Sequence, residues 1–298
     1  MATIIDGKKI AEKVLAEVKA DADALKARGV TPTLAVILVG DDEASKIYIA
    51  SKGRKAKEIG LGAKEFLLPK ETGEEELLAL VESLNADPQV HGILVQFPVP
   101  KHISERKVRR AISPAKDVDG LHPCNQGRLL EGDEGLVPCT PEGAVRLLEE
   151  YSIELAGKHA VVVGRSLLVG KPLAQMLLNR DATVTICHSR TKNLKEITRQ
   201  ADVLCVAVGR PKLVTADMVK DGVVIVDVGI NRIDGPTVKE DVPGVEKVAK
   251  KVLVGDVDFD GVSKKASAIT PVPGGVGPMT IAMLLRNTVN AAKVIAEG

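Results

Sequence analysis

The amino-acid sequence predicts a two-domain α/β protein built on mostly parallel sheets. Its 298 residues exceed what one hydrophobic core usually supports, so two domains are expected. Short apolar runs alternate with amphipathic segments along most of the chain, which is the pattern of β/α units. Because the runs are continuously apolar, they are typical of strands covered by helices on both faces of a parallel sheet.

The first domain is predicted from three apolar runs in the first hundred residues. They indicate strands at 34–39, 63–68 and 92–97, each next to an amphipathic segment. From residue 115 to residue 139 the pattern gives way to Pro, Gly, Asn and Asp, which is typical of a connector. The sequence therefore predicts that residues 1–138 form the first domain.

The second domain, residues 139–277, is predicted from a second series of apolar runs. We expect strands at 159–163, 183–187, 203–206 and 223–228, and a helix at 170–179. The strand–turn–helix at its start is typical of Rossmann-like nucleotide-binding domains. A last amphipathic helix begins near residue 278, beyond the final strand of this domain. We therefore expect residues 278–298 to return to the first domain.

Charge and composition exclude several classes of partner. Lys and Arg total 41 against 40 Asp and Glu, so no net field attracts the chain to nucleic acid or to an anionic membrane. Aromatic residues make up only 2% of the chain, which leaves few platforms for stacking bases. The amino terminus has no secretory apolar stretch, and no apolar run approaches the roughly 20 residues that span a bilayer. We expect a cytoplasmic protein that binds neither nucleic acid nor membranes.

The cysteines and histidines predict no metal site. The four cysteines are far apart and form no Cys-x-x-Cys pair, and the five histidines show no metal-ligand spacing. Neither structural zinc nor a disulfide framework is indicated, which agrees with a reducing compartment.

Glycines at the end of one predicted strand and the start of the next helix indicate a phosphate-binding turn. Gly164 and Gly170 flank this turn, where backbone N–H groups and a helix terminus can meet a phosphate. The spacing does not match a Walker loop, because five residues separate the glycines and Pro172 follows the lysine. The dinucleotide fingerprint matches only in part, because Arg165 and Ser166 stand where its variable residue and second glycine are expected.

The residues around this turn favour NADP over NAD. An arginine near the adenosine ribose can pair with a 2′-phosphate, whereas an acidic residue would bind a bare 2′-hydroxyl. No Asp or Glu ends the second strand of this domain, where Ser189 and Arg190 stand instead. Arg165 and Ser166 add a further cation and hydroxyl. Each arginine taken alone is also compatible with a solvated helix end.

Polar residues of the first domain are candidates for chemistry, although each also has a plain structural interpretation. Tyr48 and Lys52 are four residues apart and share one helix face. Gln96 ends the third apolar run, at the carboxyl edge where open α/β sheets bind ligands, but it could simply cap the strand. Asp117 and Asp119 lie in a turn whose Asp-Gly step is ordinary turn chemistry.

Taken together and in this order, the motifs closely resemble the bifunctional methylenetetrahydrofolate dehydrogenase/methenyltetrahydrofolate cyclohydrolase family. The resemblance spans nearly the whole chain. Two departures are Phe97 and Val99, where the family more often has Leu, and a third is Leu167, where Asn is common. The motifs are Tyr48 with Lys52, Val-Gln-Phe-Pro-Val-Pro at 95–100, Lys-Asp-Val-Asp-Gly at 116–120, Pro-Cys-Thr-Pro at 138–141, Val-Gly-Arg-Ser at 163–166 with Val-Gly-Lys-Pro at 169–172, Asp-Val-Gly-Ile-Asn at 227–231, and Thr-Pro-Val-Pro-Gly-Gly-Val-Gly-Pro-Met-Thr at 270–280.

The resemblance implies an NADP-dependent oxidation of 5,10-methylenetetrahydrofolate, followed by hydrolysis of the methenyl product to 10-formyltetrahydrofolate. It implies that Lys52 shuttles protons, that Gln96 and Tyr48 orient it or the water, and that Asp119 binds the pterin edge. It also implies a homodimer without a metal. Cofactor contacts are implied at Thr140, Gly164, Arg165, Ser166, Ser189, Arg190, Ile230 and Thr280.

Two other interpretations are compatible with the same fold. One is a single-activity, NAD-linked methylenetetrahydrofolate dehydrogenase, against which Lys52 and Arg190 argue. The other is a non-catalytic nucleotide sensor, which would bind NADP without turning over folate.

Overall fold

The protein is described by a computed structural model that covers residues 2–234 and 251–297, without the side chains of residues 43–45, 47 and 48. It divides into two compact units. We call Lys9–Gly143 with Met279–Gly298 the N-terminal unit, and Met1–Lys8 with Ala144–Pro278 the central unit.

Strands and helices alternate along much of the chain, and a short 3-10 helix lies at Ala216–Met218. The elements are β1 (Thr3–Ile4), α1 (Gly7–Ala27), β2 (Thr33–Val39), α2 (Glu43–Glu58), β3 (Gly62–Leu68), α3 (Glu74–Ala86), β4 (Gly92–Val95), α4 (Glu105–Ala111), α5 (Pro123–Glu131), α6 (Cys139–Glu150), β5 (His159–Val163), α7 (Gly170–Leu178), β6 (Thr183–Cys187), α8 (Leu194–Thr198), β7 (Val203–Val206), β8 (Val224–Asp227), β9 (Asn231–Asp234), β10 (Lys251–Val254), α9 (Phe259–Val262), β11 (Ala268–Ile269) and α10 (Val276–Glu297).

The N-terminal unit is built on a parallel three-stranded sheet in the order β3-β2-β4. All seven residues of β2 are buried, as its continuous apolar run predicts. Alternate residues of β2 pack with β4, α3 and α4 in one apolar core. The chain leaves β2 for β3 on one side and returns to β4 on the other. The carboxyl ends of β2 and β4 therefore border a topological switch point, where open α/β sheets bind ligands.

The C-terminal helix α10 belongs to the N-terminal unit, which confirms its predicted return. Gly143 lets α6 approach α10 closely, because a Cβ atom at this residue would lie 2.7 Å from Cβ of Met279. The Arg286 side chain also donates a hydrogen bond to Glu142 of α6 at 3.0 Å. The tertiary contacts thus join segments that lie more than a hundred residues apart.

The central unit is built on a parallel six-stranded sheet in the order β1-β11-β8-β7-β5-β6. Its strands β5, β6 and β7 have the predicted bounds, and β8 is one residue shorter than predicted at each end. Valine, leucine and isoleucine side chains of β5, β7 and β8 form its buried core. Because β6 and β7 flank β5 on opposite sides, the switch point of this sheet lies at the carboxyl end of β5.

The structure contradicts the prediction that residues 115–139 form a connector. Residues 115–139 are not a plain connector, because they contain helix α5. Pro123 occupies the first turn of this helix, where a missing N–H costs nothing, and Gly132 ends it at φ 83°. The same two residue types that suggested a loop therefore mark the two ends of a helix.

The first residues are also placed differently from the prediction. Strand β1 pairs with β11 of the central unit, so residues 1–8 do not belong with the rest of the predicted 1–138 domain. The division between the units falls at Gly143 and Ala144, a few residues after the predicted 138/139 boundary. A strand of two residues is too short to give a periodic signal, which is why the sequence pattern did not reveal it.

Candidate active site

Lys52 and Gln96 meet at the switch point of the N-terminal sheet. Lys52 lies on α2, which follows β2, and it is only 7% exposed. Gln96 comes directly after β4. The Nζ atom of Lys52 donates a hydrogen bond to Oε1 of Gln96 at 2.9 Å, while Nε2 of Gln96 donates to the carbonyl of Phe97 at 3.0 Å. These two bonds orient the glutamine and hold the lysine amine against it.

Asp119 and Cys139 lie next to this pair. Asp119 is partly exposed, whereas Cys139, at the start of α6, is buried. The thiol of Cys139 donates to the carbonyl of Val118 at 3.2 Å, so it is tied to the residue before Asp119. Gly120 adopts φ +65°, and a Cβ atom there would lie 2.5 Å from the nitrogen of Pro138. The turn that carries Asp119 and the segment that carries Cys139 are thus in direct backbone contact.

Burial shifts the pKa values of all three ionisable groups toward their neutral forms. Loss of solvation lowers the pKa of Lys52, and the negative potential of Asp119 and Cys139 opposes this only in part. Loss of solvation raises the pKa of Asp119 to about 6, with Lys52 lowering it and Asp117 raising it further. The pKa of Cys139 rises well above its ordinary value for the same reason. The cluster therefore holds a lysine whose pKa is lowered beside a carboxyl group whose pKa is raised, which is typical of functional sites.

The charged residues beside Asp119 have structural roles. Lys116 is buried and donates hydrogen bonds to three carbonyls at the end of α3, including that of Asp87 at 2.7 Å. Asp117 is also buried and accepts from the backbone N–H of His122 at 2.7 Å and from the Asn125 amide at 2.8 Å. Both residues therefore hold the turn in place, and Asp119 is the member of this motif that is left partly open.

The Tyr48 backbone belongs to α2, but its side chain lies outside the described part of the structure, so its predicted role stays a prediction. Sequence reasoning did not single out Cys139 as a site residue. The only available signal was its position in the Pro-Cys-Thr-Pro motif, because one buried thiol has no spacing pattern that reveals its neighbours.

The departure at Phe97 has a visible consequence. The guanidinium of Arg109 lies 5.6 Å from the centre of the Phe97 ring, a cation–π contact that leucine could not make. Arg109 also bonds to Glu105 one helical turn away at 3.2 Å. The segment that follows Gln96 is thereby held against α4.

The predicted phosphate-binding turn lies at the switch point of the central sheet, directly after β5. Gly164 adopts φ +133°, and a Cβ atom there would lie 2.3 Å from the carbonyl oxygen of Ala207. At Gly170, the first residue of α7, a Cβ atom would lie 2.3 Å from the carbonyl oxygen of Gly164. Both glycines are required by close backbone contacts, as the dinucleotide fingerprint requires.

Ser166, Arg165, Ser189 and Arg190 are exposed at this carboxyl edge. The Ser166 hydroxyl accepts hydrogen bonds from the N–H groups of Val169 at 3.1 Å and Gly170 at 3.3 Å, and so caps α7. Within the described residues, neither Arg165 nor Arg190 has an ion-pair partner. Two cations beside the start of α7 are thus available to an anion, and this agrees with the requirements of a dinucleotide phosphate.

Two buried aspartates shape the neighbouring loops of the central unit. Asp227 accepts from the N–H groups of Gly229, Asp256 and Val257, and its burial raises its pKa to about 6. Asp256 accepts from three consecutive N–H groups after β7 and from the Asn231 amide. Ile230 lies between these anchored residues and is 49% exposed. Its backbone is therefore fixed while its side chain remains accessible.

Thr140 and Thr280 belong to the N-terminal unit. Their hydroxyl oxygens are 3.1 Å apart, so one donates to the other across α6 and α10. Both are partly exposed. Their predicted cofactor contacts remain predictions.

No group of three or more His, Cys, Asp or Glu side chains suited to a metal ion is found within residues 2–234 and 251–297. Over the same residues, no helix has the length and apolar character needed to cross a membrane.

Comparisons with known proteins match both units. A family model described as the tetrahydrofolate dehydrogenase/cyclohydrolase catalytic domain matches residues 5–119. The NAD(P)-binding domain model of the same family matches residues 138–296. The chain is similar to the bifunctional protein FolD of Halalkalibacterium halodurans, with 54% identity over 98% of this chain and 99% of the relative.

Solved structures agree with these matches. The bifunctional FolD methylenetetrahydrofolate dehydrogenase/cyclohydrolase of Campylobacter jejuni superimposes with a TM-score of 0.91 at 50% identity, covering 99% of both chains. The Trypanosoma brucei FolD enzyme, solved with NADP cofactor and an inhibitor, superimposes with a TM-score of 0.91 at 37% identity, covering 100% of this chain and 99% of that one. The chain therefore belongs to the tetrahydrofolate dehydrogenase/cyclohydrolase family.

Proposed function

We propose that this protein is a bifunctional enzyme that oxidises 5,10-methylenetetrahydrofolate with NADP and then hydrolyses 5,10-methenyltetrahydrofolate to 10-formyltetrahydrofolate. The observation that carries the proposal is the cluster of buried Lys52 with partly exposed Gln96 and Asp119 at the switch point of the N-terminal sheet. A hydride transfer alone would not require a buried lysine whose pKa is lowered, whereas hydrolysis requires a group that moves protons near neutral pH.

Asp119 is the proposed anchor for the pterin ring. The pterin edge presents a ring N–H beside an amino group, and an ionised carboxylate can accept both hydrogen bonds at once. With a pKa of about 6, Asp119 is mostly ionised at neutral pH. Its neighbours Lys116 and Asp117 hold the turn through other partners, so the Asp119 carboxylate remains available to a ligand.

Lys52 is the proposed proton shuttle of the hydrolytic step. As water adds to the methenyl carbon, a C–O bond forms and the water proton passes to the neutral amine of Lys52. The resulting ammonium group then returns a proton to the ring nitrogen as the C–N bond breaks, and the added hydroxyl loses its remaining proton to solvent as the formyl C=O bond forms. Burial favours the neutral amine before the step, and Asp119 stabilises the ammonium group after it. Gln96 keeps Nζ in place, and Tyr48 is proposed to assist in orienting the water.

NADP is the proposed hydride acceptor, which takes the hydride from the bridging carbon of methylenetetrahydrofolate. The turn between Gly164 and Gly170 offers backbone N–H groups and the start of α7 to its phosphates. Arg165, Ser166, Ser189 and Arg190 are proposed to bind the 2′-phosphate side, with further contacts from Thr140, Ile230 and Thr280. The exposed guanidinium groups support NADP over NAD, because a bare ribose hydroxyl gives them no anion to pair with.

We also propose that the enzyme acts in the cytoplasm as a homodimer without a metal. All four cysteines are free thiols, three of them buried, which agrees with a reducing compartment. Strand β3 lies at the edge of its sheet and exposes Leu67 by 60%, and an open apolar edge of this kind is suited to contact with a second copy. Light scattering across a range of protein concentrations tests the dimer.

One spectrophotometric experiment tests the proposed function. The purified protein is given methylenetetrahydrofolate with NADP or with NAD, and both the reduced cofactor and the methenyl product are followed. We expect faster turnover with NADP and little accumulation of the methenyl product. Equal efficiency with both cofactors and an accumulating methenyl product would support the single-activity alternative, and NADP binding without turnover would support a sensor.

A further inference from the structure

We call Lys52, Gln96 and Asp119 the folate-site cluster. A buried asparagine on the C-terminal helix contacts the turn that carries Asp119 and the neighbouring segment that carries Cys139. Asn287 lies on α10 and is only 2% exposed. Its Nδ2 atom donates hydrogen bonds to the carbonyl of Val118 at 2.9 Å and to the carbonyl of Val137 at 2.9 Å. The same atom lies 3.6 Å from Sγ of Cys139. One amide group thus joins three chain segments that are distant in sequence.

We propose that Asn287 is a positioning residue of the folate site, holding the turn of Asp119 and the start of α6 in the arrangement that faces Lys52. The inference rests on the proposed function, and it adds a residue of α10 that lies beyond the motif ending at Thr280. Asn287 touches neither substrate nor cofactor in this role. It acts through the backbone on either side of the groups that do.

The positions of the two carbonyls carry the argument. Val118 immediately precedes Asp119, and Val137 is two residues before Cys139. The amide has two N–H donors, and each carbonyl takes one of them, so the two segments are fixed at a set separation. The thiol of Cys139 adds a third connection because it donates to the carbonyl of Val118. A buried amide persists when its hydrogen bonds are satisfied, and here the bonds converge on the catalytic turn.

We call the two Asn287 hydrogen bonds to Val118 and Val137 the clamp. Close packing around the Asp119 turn leaves its backbone little room to move once the clamp has formed. Gly120 has no room for a Cβ atom against Val137 and Pro138. On the other side, a Cβ atom at Gly92 of β4 would lie 2.6 Å from Val118 and 3.2 Å from the Thr288 hydroxyl. Val118 is therefore packed between β4 and α10. A shift of the Asp119 turn consequently requires the Asn287 hydrogen bonds to break.

The test compares Asn287→Leu with the matched control Thr288→Val in the full-length protein. Leucine has the same number and branching of side-chain heavy atoms as asparagine but removes both donors. Thr288 is also fully buried, and its hydroxyl bonds to Leu284 of its own helix, so Thr288→Val removes one buried hydrogen bond without touching the clamp. Circular dichroism and thermal unfolding establish that both variants fold, and Asn287→Gln, which retains the amide donors, is included as a rescue variant.

For Asn287→Leu we expect cyclohydrolase kcat/KM to fall about 10- to 100-fold, because small misplacements of catalytic groups have effects of this size. The folate KM should rise, NADP affinity in a direct titration should change less than folate affinity, and Asn287→Gln should recover part of the loss. Thr288→Val should remain close to wild type. Equal losses in Asn287→Leu and Thr288→Val, or wild-type kinetics in Asn287→Leu, would overturn the proposal.

A second measurement does not depend on the activity. Alkylation of individual cysteines is followed by mass spectrometry of peptides. In Asn287→Leu, Cys139 should react at least about tenfold faster than in the wild type, while Cys205, which is fully buried in the central unit, should stay protected. Unchanged protection of Cys139 would contradict the clamp. If wild-type protein turns over no folate but Cys139 still becomes reactive in Asn287→Leu, the proposed function fails and the clamp stands.

Discussion

The folate-site cluster and the nucleotide turn use opposite physical means to prepare a site. The cluster of Lys52, Gln96 and Asp119 is built from side chains that are largely withdrawn from water, and their pKa values are shifted by burial. The nucleotide turn is built from backbone, with Gly164 and Gly170 in tight contact and the nearby Arg165 exposed. Burial shifts the proton affinities of the first region, whereas the second is a shaped backbone turn that we propose to bind phosphate.

Because of this difference, the two regions should respond differently to substitution. Removing a group from the buried cluster changes the charge balance of its neighbours, so several properties should change together. Removing an exposed side chain beside the turn leaves the backbone cradle intact, so only the interaction of that side chain should be lost. The two buried aspartates of the central unit support this view, because Asp227 and Asp256 accept mainly backbone N–H groups and so preserve loop shape.

The largest expected effect is that of Lys52→Met, which deletes the amine and keeps much of the apolar stem. Cyclohydrolase activity should fall by about two to four orders of magnitude, the range for a positioned acid–base group. Dehydrogenase activity should fall less, because the folate nitrogen lone pairs drive hydride loss. Methenyltetrahydrofolate should therefore accumulate, which its absorbance reports.

The matched control for this variant is Lys55→Met on the same helix. Lys55 pairs with Glu58 at 2.8 Å on a solvent-exposed face, and its loss should leave both activities close to wild type. Wild-type methenyl hydrolysis in folded Lys52→Met would refute the proton-shuttle role.

The next largest effect concerns Arg190, beside the turn between Gly164 and Gly170. Arg190→Ala should weaken NADP binding by about 1.5 to 3 kcal/mol, the value of a charged hydrogen bond, and should change the catalytic efficiency with NAD little. Arg199→Ala removes another exposed cation from the same unit and should affect neither cofactor. Steady-state kinetics with both cofactors measures the result, and parallel losses for NADP and NAD in Arg190→Ala would contradict recognition of the 2′-phosphate.

A smaller effect concerns the pH dependence of folate binding. Only ionised Asp119 can accept both pterin donors, and its pKa in the unliganded protein is about 6. Folate affinity should therefore fall as pH decreases through this value, by about tenfold between about pH 7 and about pH 5. Asp119→Asn should bind folate weakly and show no such pH dependence. Titration of folate at several pH values tests this, and the same pH profile in both proteins would exclude Asp119 as its source.

The smallest effect is on stability. Because folding raises the pKa of Asp119 from 3.8 to about 6, the folded state binds more protons between these values. The free energy of unfolding therefore decreases as pH rises through this window, and the full cost is present above about pH 6. Asp119→Asn removes that cost but also deprives Lys52 of its nearby charge, so we expect a gain of about 1 to 2 kcal/mol at neutral pH.

Thermal unfolding at about pH 4 and at about pH 7.5 measures this effect, since the gain should be present only at the higher pH. A loss of stability in Asp119→Asn at neutral pH would show that the carboxylate stabilises the unliganded fold.

Features that depend on consecutive residues could be predicted from the sequence alone. Continuous apolar runs indicated parallel strands such as β2 and β5, and Gly164 and Gly170 indicated the turn that begins α7. These succeeded because strand burial and turn geometry are written in consecutive residues. The exposed residues Arg165 and Arg190 could be identified in the same way, from their positions at strand ends.

Contacts between residues that are distant in sequence could be identified only from the tertiary structure. Lys52 and Gln96 are 44 residues apart, and Asn287 is 169 residues from Val118, yet each pair is joined by a hydrogen bond of 2.9 Å. No periodicity records such contacts, because they arise when the strands are ordered and the last helix packs back on the N-terminal unit. The shifted pKa values of Lys52 and Asp119 follow from the same assembly, since burial and nearby charge exist only once these segments come together.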